Sequence, residues 1–464
     1  MTNYPKQIFF IVLLAVVPLL WQSCQPAATQ QTQENPVLTA AERRQQERTG
    51  NSEMEANIDH VLAEMTLEEK VGQMMQINNT QYAKKYKAAA SESAPPDVQV
   101  SIDTAKLINY LKNYHVGTFL NGVAVTPETW FAYSQQLQEL NMRFSRLNIP
   151  IIYGIDHMHG ANYVEGSTIF PHSINIGATF NTQFSTDEGQ VVGTETADLG
   201  HHWIFGPVLD LARNPYWPRF YETYGEDPHL VAEMGAAYVK ALQKNPGTAP
   251  YKQAATAKHF IGYSDPDNGW DRTPATIDDQ QLYEFHVPAF QAAVDAGIKT
   301  FMINGGEING VPVHASDKLL TRLLRDQMGF TGVVVTDWQD VIRLYKSHKV
   351  AEDMKDATYQ AVMAGIDISM TPYETDFFDV LVELVNEDKI SMDRIDLSVA
   401  RILRLKYDLG LFENPYPRND RFERVGAEAH RQKALAAARE SIVLLKNDGT
   451  LPLQNPGNIV LAGM

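Results

Sequence analysis

The chain has one cysteine in 464 residues, Cys24. No intrachain disulfide can form, so stability must come from the core. Positive charge is also short: 39 Lys and Arg face 56 Asp and Glu, a formal net charge of −17. That balance excludes a sequence-independent grip on nucleic acid, which needs cations laid against phosphates. An acidic surface suits a neutral substrate, and it equally serves plain solubility. Long apolar runs are missing too. The run over residues 8–21 falls short of the roughly 20 residues a spanning helix needs. Lys6 precedes it, and Ser23 and Cys24 follow. Basic, apolar and small-residue regions in that order form a secretory signal over 1–24. Cys24 has the position of a lipid acceptor in a bacterial lipoprotein signal, although Trp21 departs from the small or aliphatic residue usual there. The competing reading is a cleaved signal with an incidental cysteine. Both readings predict an exported protein; the lipoprotein reading places it in the periplasm or at the outer membrane, meeting the membrane only through a lipid anchor.

What is present begins with a polar stretch. Residues 25–54 are rich in Gln, Thr, Glu and Ala and predict a disordered tether. Thr66 and Glu69 have capping-box spacing, with Val71, Met74 and Met75 on one helical face behind them. Short apolar runs then alternate with helical stretches. They cover 116–121, 149–156, 203–210, 254–259, 300–304, 333–337 and 366–370, with 74–78 as a weaker first member. Mostly continuous apolar runs are expected of parallel strands buried on both faces. Eight strand–helix units predict an α/β fold, a (β/α)8 TIM-type barrel over 55–413. Asn414, Pro415 and Pro417 break the pattern. A linker and helix are expected from 414, divided from the next domain at 436, with the helix itself over roughly 427–440. From Ser441 a strand and turn are expected, and 459–463 reads as the first strand of another α/β domain. The chain looks truncated early in that domain, which spans 437–464.

In such barrels the chemistry sits at the C-terminal strand ends. Those ends supply Asn121, Asp156, Asp210, Lys258, His259, Asn304 and Asp337. Asp337 closes the valine run 333–335 and faces ligand on one side; Trp338 beside it can offer an aromatic face to a sugar ring. The plainer reading of Asp337 is a cap for the next helix. Lys258 and His259 can donate hydrogen bonds to hydroxyls, and Lys258 would help keep nearby carboxylates ionised. The plainer reading is a solvated lysine beside a core histidine. Asp156 can accept two adjacent sugar hydroxyls. His157 and His159 form a His-x-His pair that can ligate metal in other barrels, which keeps a metal-dependent hydrolase open. The aromatics around Arg219 suit a sugar-binding loop. Asp227 followed by Pro228 reads as an N-cap and a first helical proline, without chemistry.

Together these motifs resemble glycoside hydrolase family 3, the β-glucosidase and exo-β-glucanase group. The resemblance rests on the segment from Ile58 through Met74, on 153–160, on Arg219 to Pro228, on Lys258-His259-Phe260, on Gly329 to Trp338, and on the run from Ser441. It covers nearly all of 58–464. It implies that Asp337 is a retaining nucleophile. It also implies that Asp156, Arg219, Lys258, His259 and Arg272 bind the sugar, and that Trp338 forms an aromatic wall. No metal or other cofactor is implied; the partner is an oligosaccharide or glucoside. Many members carry Tyr where this chain has Gly305, which implies a more open site there. Two-domain members take a general acid/base, usually Glu, from the second domain, so that group is expected outside this chain. Single-barrel N-acetylglucosaminidases use a His after Lys-His-Phe; 261–267 has none.

The resulting expectation is a retaining exo-hydrolase releasing β-linked glucose or a similar sugar from non-reducing ends. Two alternatives remain: a sugar-binding envelope lipoprotein without turnover, and the metal-dependent barrel using His157 and His159.

Overall fold

The computed structural model describes residues 38–87, 98–244, 252–418 and 421–460. The expected signal, Cys24 and the tether up to residue 37 lie outside the described residues. Eight parallel strands form one sheet: β1 (Met75–Asn78), β2 (Thr118–Leu120), β3 (Ile152–Ile155), β4 (Trp203–Ile204), β5 (Ala254–Phe260), β6 (Thr300–Ile303), β7 (Val333–Val335) and β8 (Ser369–Met370). Their order is β7-β6-β5-β4-β3-β2-β1-β8. A parallel bridge between Val335 and Ile368 joins the two ends, and the Thr336 amide donates to the Ile368 carbonyl at 3.1 Å. The sheet thus closes as the barrel that the alternating pattern predicts, and each of the eight apolar runs holds one strand.

Burial explains the strand composition. Val333, Val334 and Val335 are fully buried, with the interior on one side and helices on the other. Within the barrel the Trp203 indole donates to Thr256 at 2.7 Å and Thr300 at 2.8 Å. The capping box at Thr66 forms on the helix Leu67–Gln73. Asp227 caps Pro228–Gln243, with its side chain accepting from the Leu230 amide at 2.9 Å.

Two expectations need correction. The stretch 38–54, taken as tether, is ordered. Thr39 builds a capping box on the helix Ala40–Gln46, and Asn51 caps the helix Ser52–Glu64. Arg43 pairs with Asp326 at 2.7 Å, Glu47 with Arg401 at 2.5 Å and Glu55 with Arg404 at 2.9 Å. Composition suggested solvated polar residues; the barrel supplies their partners, and pairing makes burial tolerable. At the other end, the expected helix forms over Glu428–Glu440. The strand expected from Ser441 does not form over the described residues: Ile442 and Leu445 are 79% and 92% exposed. A strand needs a paired neighbour, and this segment has none among the described residues.

Two antiparallel ribbons interrupt the regular units without a signal that the strand pattern uses. Ala83–Lys87 pairs with Val98–Ile102, and Glu307–Ile308 with Val311–Pro312. The second turns at Asn309 and Gly310, both at positive φ (53° and 82°). Asn-Gly is the pair that such a tight turn favours.

Candidate active site

The barrel mouth collects the strand-end side chains. Asp337 follows β7 by two residues, and its side chain is 12% exposed. Oδ1 accepts from the Trp338 amide at 2.6 Å, while Oδ2 pairs with the Arg272 guanidinium. His259 Nε2 lies 3.9 Å from the same oxygen. Burial pushes the Asp337 carboxyl up. The charge of Arg272, then Arg219, the Trp338 amide and Lys258 outweigh burial and hold it below the usual range. Asp337 is therefore a carboxylate at neutral pH. It does not cap the next helix. That helix, Asp340–Lys346, starts three residues later with no side-chain cap.

Arg272 reaches Asp337 from the loop after β5. Its backbone is left-handed, φ 56°, a conformation that a non-glycine residue keeps only when its surroundings enforce it. Thr273 fixes one side, its hydroxyl donating to Asn268 Oδ1 and the Trp270 carbonyl at 2.7 Å each. Asp271 fixes the other, accepting from the Trp217 indole at 3.2 Å.

His259 stands beside Lys258 on β5. Asp210, beyond β4, accepts from the His259 amide at 3.0 Å and ring Nδ1 at 2.8 Å. Burial, with the charges of Arg219, Lys258 and Arg272, holds the imidazole well below its ordinary pKa. Neutral His259 then carries its proton on Nδ1, toward Asp210, and Nε2 faces the site as an acceptor. Burial also raises Asp210, to about 8, against the His259 amide. Lys258 Nζ donates to Asp156 Oδ1 at 2.8 Å. Asn121 locks the other side: Nδ2 donates to Asp156 Oδ2 at 3.0 Å, and Oδ1 accepts from the Asp156 amide at 3.1 Å. The Asp156 side chain stays 33% exposed. Arg219 forks onto Glu222 at 2.9 and 2.7 Å and stands over the Tyr263 ring, 5.6 Å from its centre. Trp338 meets Tyr373 edge-on, 5.4 Å between ring centres.

Asp337, Arg272, His259, Arg219, Lys258 and Asp156 thus meet at one end of the barrel. His157 and His159 do not converge. His157 is fully buried with Nε2 3.1 Å from His201 Nδ1, and His159 packs edge-on against His172. Among the described residues, no group of three or more His, Cys, Asp or Glu side chains is arranged to hold a metal. Nor is the mouth more open at Gly305. A Cβ there would come 2.8 Å from Asp340 Oδ1 and 3.0 Å from Arg272 Nε. Asp340, Tyr263 and Tyr373 had no place in the sequence reading. Asp340 lies five residues past β7, at a helix start where carboxylates are common, and its side chain folds back onto the Asp337 amide three residues earlier.

A closed parallel barrel with an ionised carboxylate, paired cations and aromatic edges at its C-terminal mouth is the form of a barrel hydrolase. Residues 66–405 match the Glycosyl hydrolase family 3 N terminal domain, and the chain belongs to that family. It is 40% identical over 428 residues to a lysosomal beta glucosidase of Dictyostelium discoideum, covering 88% of this chain and 50% of that protein. A periplasmic beta-glucosidase of Salmonella typhimurium is 32% identical, with 88% and 50% covered. Among solved structures, the beta-glucosidase of Listeria innocua in complex with glucose aligns with a TM-score of 0.75 at 30% identity, covering 86% of this chain and 53% of that one. An exo-1,3/1,4-beta-glucanase from a Pseudoalteromonas species aligns with a TM-score of 0.74 at 31% identity, covering 87% and 49%. The chain spans about half the length of the curated relatives it matches.

Proposed function

We propose that the chain supplies the nucleophile and sugar-binding barrel of a retaining exo-glycosidase acting on β-linked glucose or a similar sugar. The observation that carries this reading is Asp337, buried beyond the end of β7 with Arg272 on one oxygen and the Trp338 amide on the other. Its carboxylate attacks the anomeric carbon and forms a glycosyl-enzyme. Asp156 and Lys258 take adjacent hydroxyls, Arg219, His259 and Arg272 take others, and Trp338 walls the ring. Binding to glucose in the Listeria relative supports that sugar class.

Retention needs a second carboxyl about 5–5.5 Å from the first. The described carboxyls at the mouth are committed elsewhere: Asp156 to Lys258, Asp210 to His259, Glu222 to Arg219, and Asp340 is fully buried. The acid/base therefore comes from outside the described residues, in keeping with the reading of 437–464 as entry to a second α/β domain. Residues 1–24 act as the export signal, with Cys24 lipidated; a relative named as periplasmic supports export.

An activated 2-fluoro-glucoside needs little acid help, so it tests the nucleophile alone. The chain is expected to gain one fluoroglucosyl group, found by peptide mass spectrometry on Asp337 and absent in Asp337→Asn. A label on another residue overturns the assignment. The committed state of the mouth carboxyls also favours a second reading, a sugar-binding envelope lipoprotein without turnover. Glucose binding by calorimetry with no label and no hydrolysis would select it.

A further inference from the structure

Asp340 stands beside Asp337 and has no task in the proposed reaction. It is fully buried and cannot touch a sugar. Its Oδ2 accepts from the Asp337 backbone amide at 3.0 Å. Its Oδ1 has no hydrogen-bond partner, and neither has Arg272 Nε. Both of these atoms press on the same spot, the face of Gly305 at the end of β6. Arg272 meanwhile holds Asp337 Oδ2 with Nη2. The Arg272 guanidinium and the Asp340 carboxyl therefore both crowd Gly305, which leaves the room for them. Any larger residue at 305 would drive its Cβ into the Asp340 carboxyl.

We propose that Asp340 is a positioning residue for the nucleophile. It fixes the Asp337 backbone amide with one oxygen, while its other oxygen and Arg272 Nε both crowd the face of Gly305. This rests on Asp337 being the nucleophile. The charged and titratable groups facing Asp340 are Arg272 and Asp337, and Arg343 from its own helix, with Nε 3.7 Å from Oδ1. His314 Nε2 donates to the Asp340 backbone carbonyl at 2.6 Å, and its ring packs against His348. Burial raises the Asp340 carboxyl to about 7, with Arg272 opposing and Asp337 adding to the shift. Below that pH Asp340 is neutral and the charge of Arg272 is spent on Asp337. Above it, a second negative charge draws on Arg272, leaving Asp337 less neutralised and the positive charge of the transition state better stabilised.

The test uses the full chain and 2,4-dinitrophenyl 2-deoxy-2-fluoro-β-glucoside, followed by intact mass spectrometry. An Asp337 oxygen bonds to the anomeric carbon as the dinitrophenolate leaves with its electron pair, so no proton is required. The expected wild-type labelling rate climbs roughly threefold to tenfold through an inflection near the pH at which Asp340 ionises. Asp340→Asn keeps an oxygen for the Asp337 amide but loses the charge, so it should label without that inflection. Gly305→Ala should slow labelling about tenfold to a hundredfold, since an ångström of misplacement costs that much. An Asp340→Asn profile that keeps the inflection assigns it to another group such as Asp210 and overturns the proposal. So does a wild-type rate in Gly305→Ala. If the wild-type chain takes no label on Asp337, the nucleophile reading itself falls, and the role of Asp340 with it.

Discussion

At the scale of single residues, the mouth shows how the same side-chain type takes opposite states. Asp337, Asp340 and Asp210 are all buried, yet only Asp337 is held below the ordinary carboxylate range. The difference is the placement of cations and amides. Desolvation acts on all three; Arg272 and the Trp338 amide meet Asp337 directly. As the proposed nucleophile, Asp337 must be ionised to attack, so labelling is expected to fail as pH falls through its depressed pKa. Arg272→Ala removes the largest opposing charge and lets burial raise that pKa. The acid limb of the labelling profile should then move to higher pH. A stopped-flow profile of dinitrophenolate release measures it, and an unmoved limb would show that Arg272 does not set the charge of Asp337. The residues of this site were legible unequally. Asp337, Asp156, Lys258 and His259 stand at the ends of apolar runs, where the pattern points. Asp340 stands inside an amphipathic helix start, and Tyr373 in a loop beyond β8, where no local signal separates them from ordinary surface residues.

At the scale of elements, most assignments followed from burial periodicity and caps. The Thr66 and Asp227 caps formed where side-chain spacing placed them. The ribbons at 83–102 and 307–312 escaped notice because they belong to loops, although Asn309-Gly310 carried the turn signal. Close crossings between elements were not legible at all. In the short helix Ser173–Ala178, a Cβ on Gly177 would lie 1.8 Å from the Tyr224 carbonyl oxygen. Backbone cannot yield as a flexible side chain can. Gly177→Ala should cost about 1–3 kcal/mol as an overpacking change, or more if the loop at 220–224 shifts. Urea unfolding measures it; a midpoint equal to wild type would mean that the loop gives way freely. Arg219 directly precedes that loop, so a displaced loop should also slow labelling.

At the scale of the whole molecule, the N-terminal segment is tied to the barrel by buried charge. Arg401 bridges Glu47 at 2.5 Å and Asp367 at 2.9 Å, and Asp367 also takes Arg325 at 2.8 Å. All four side chains are at most 6% exposed. Removing one member strands the rest in low dielectric. Glu47→Ala should lower stability by about 3–5 kcal/mol and free the helix Ala40–Gln46 for limited proteolysis. An unchanged denaturation midpoint with intact protease resistance would show that the segment is held otherwise. This tie reverses the tether expected at 38–54. Gln, Glu and Arg in sequence imply solvation; only the facing helix Met392–Asp408 reveals that their charges are matched.

The sequence by itself determined the barrel, its eight strands and the family, because hydrophobic periodicity and local motifs are written residue by residue. It also determined which strand ends carry ionisable groups. The tertiary structure decided which of those groups meet, which carboxyl stays charged, and that the space over Gly305 is filled by Asp340 and Arg272. Charge state and contact depend on distances between residues remote in the chain: Arg272 and Asp337 are 65 positions apart, Lys258 and Asp156 102. No local pattern encodes those separations; the closing of the barrel sets them.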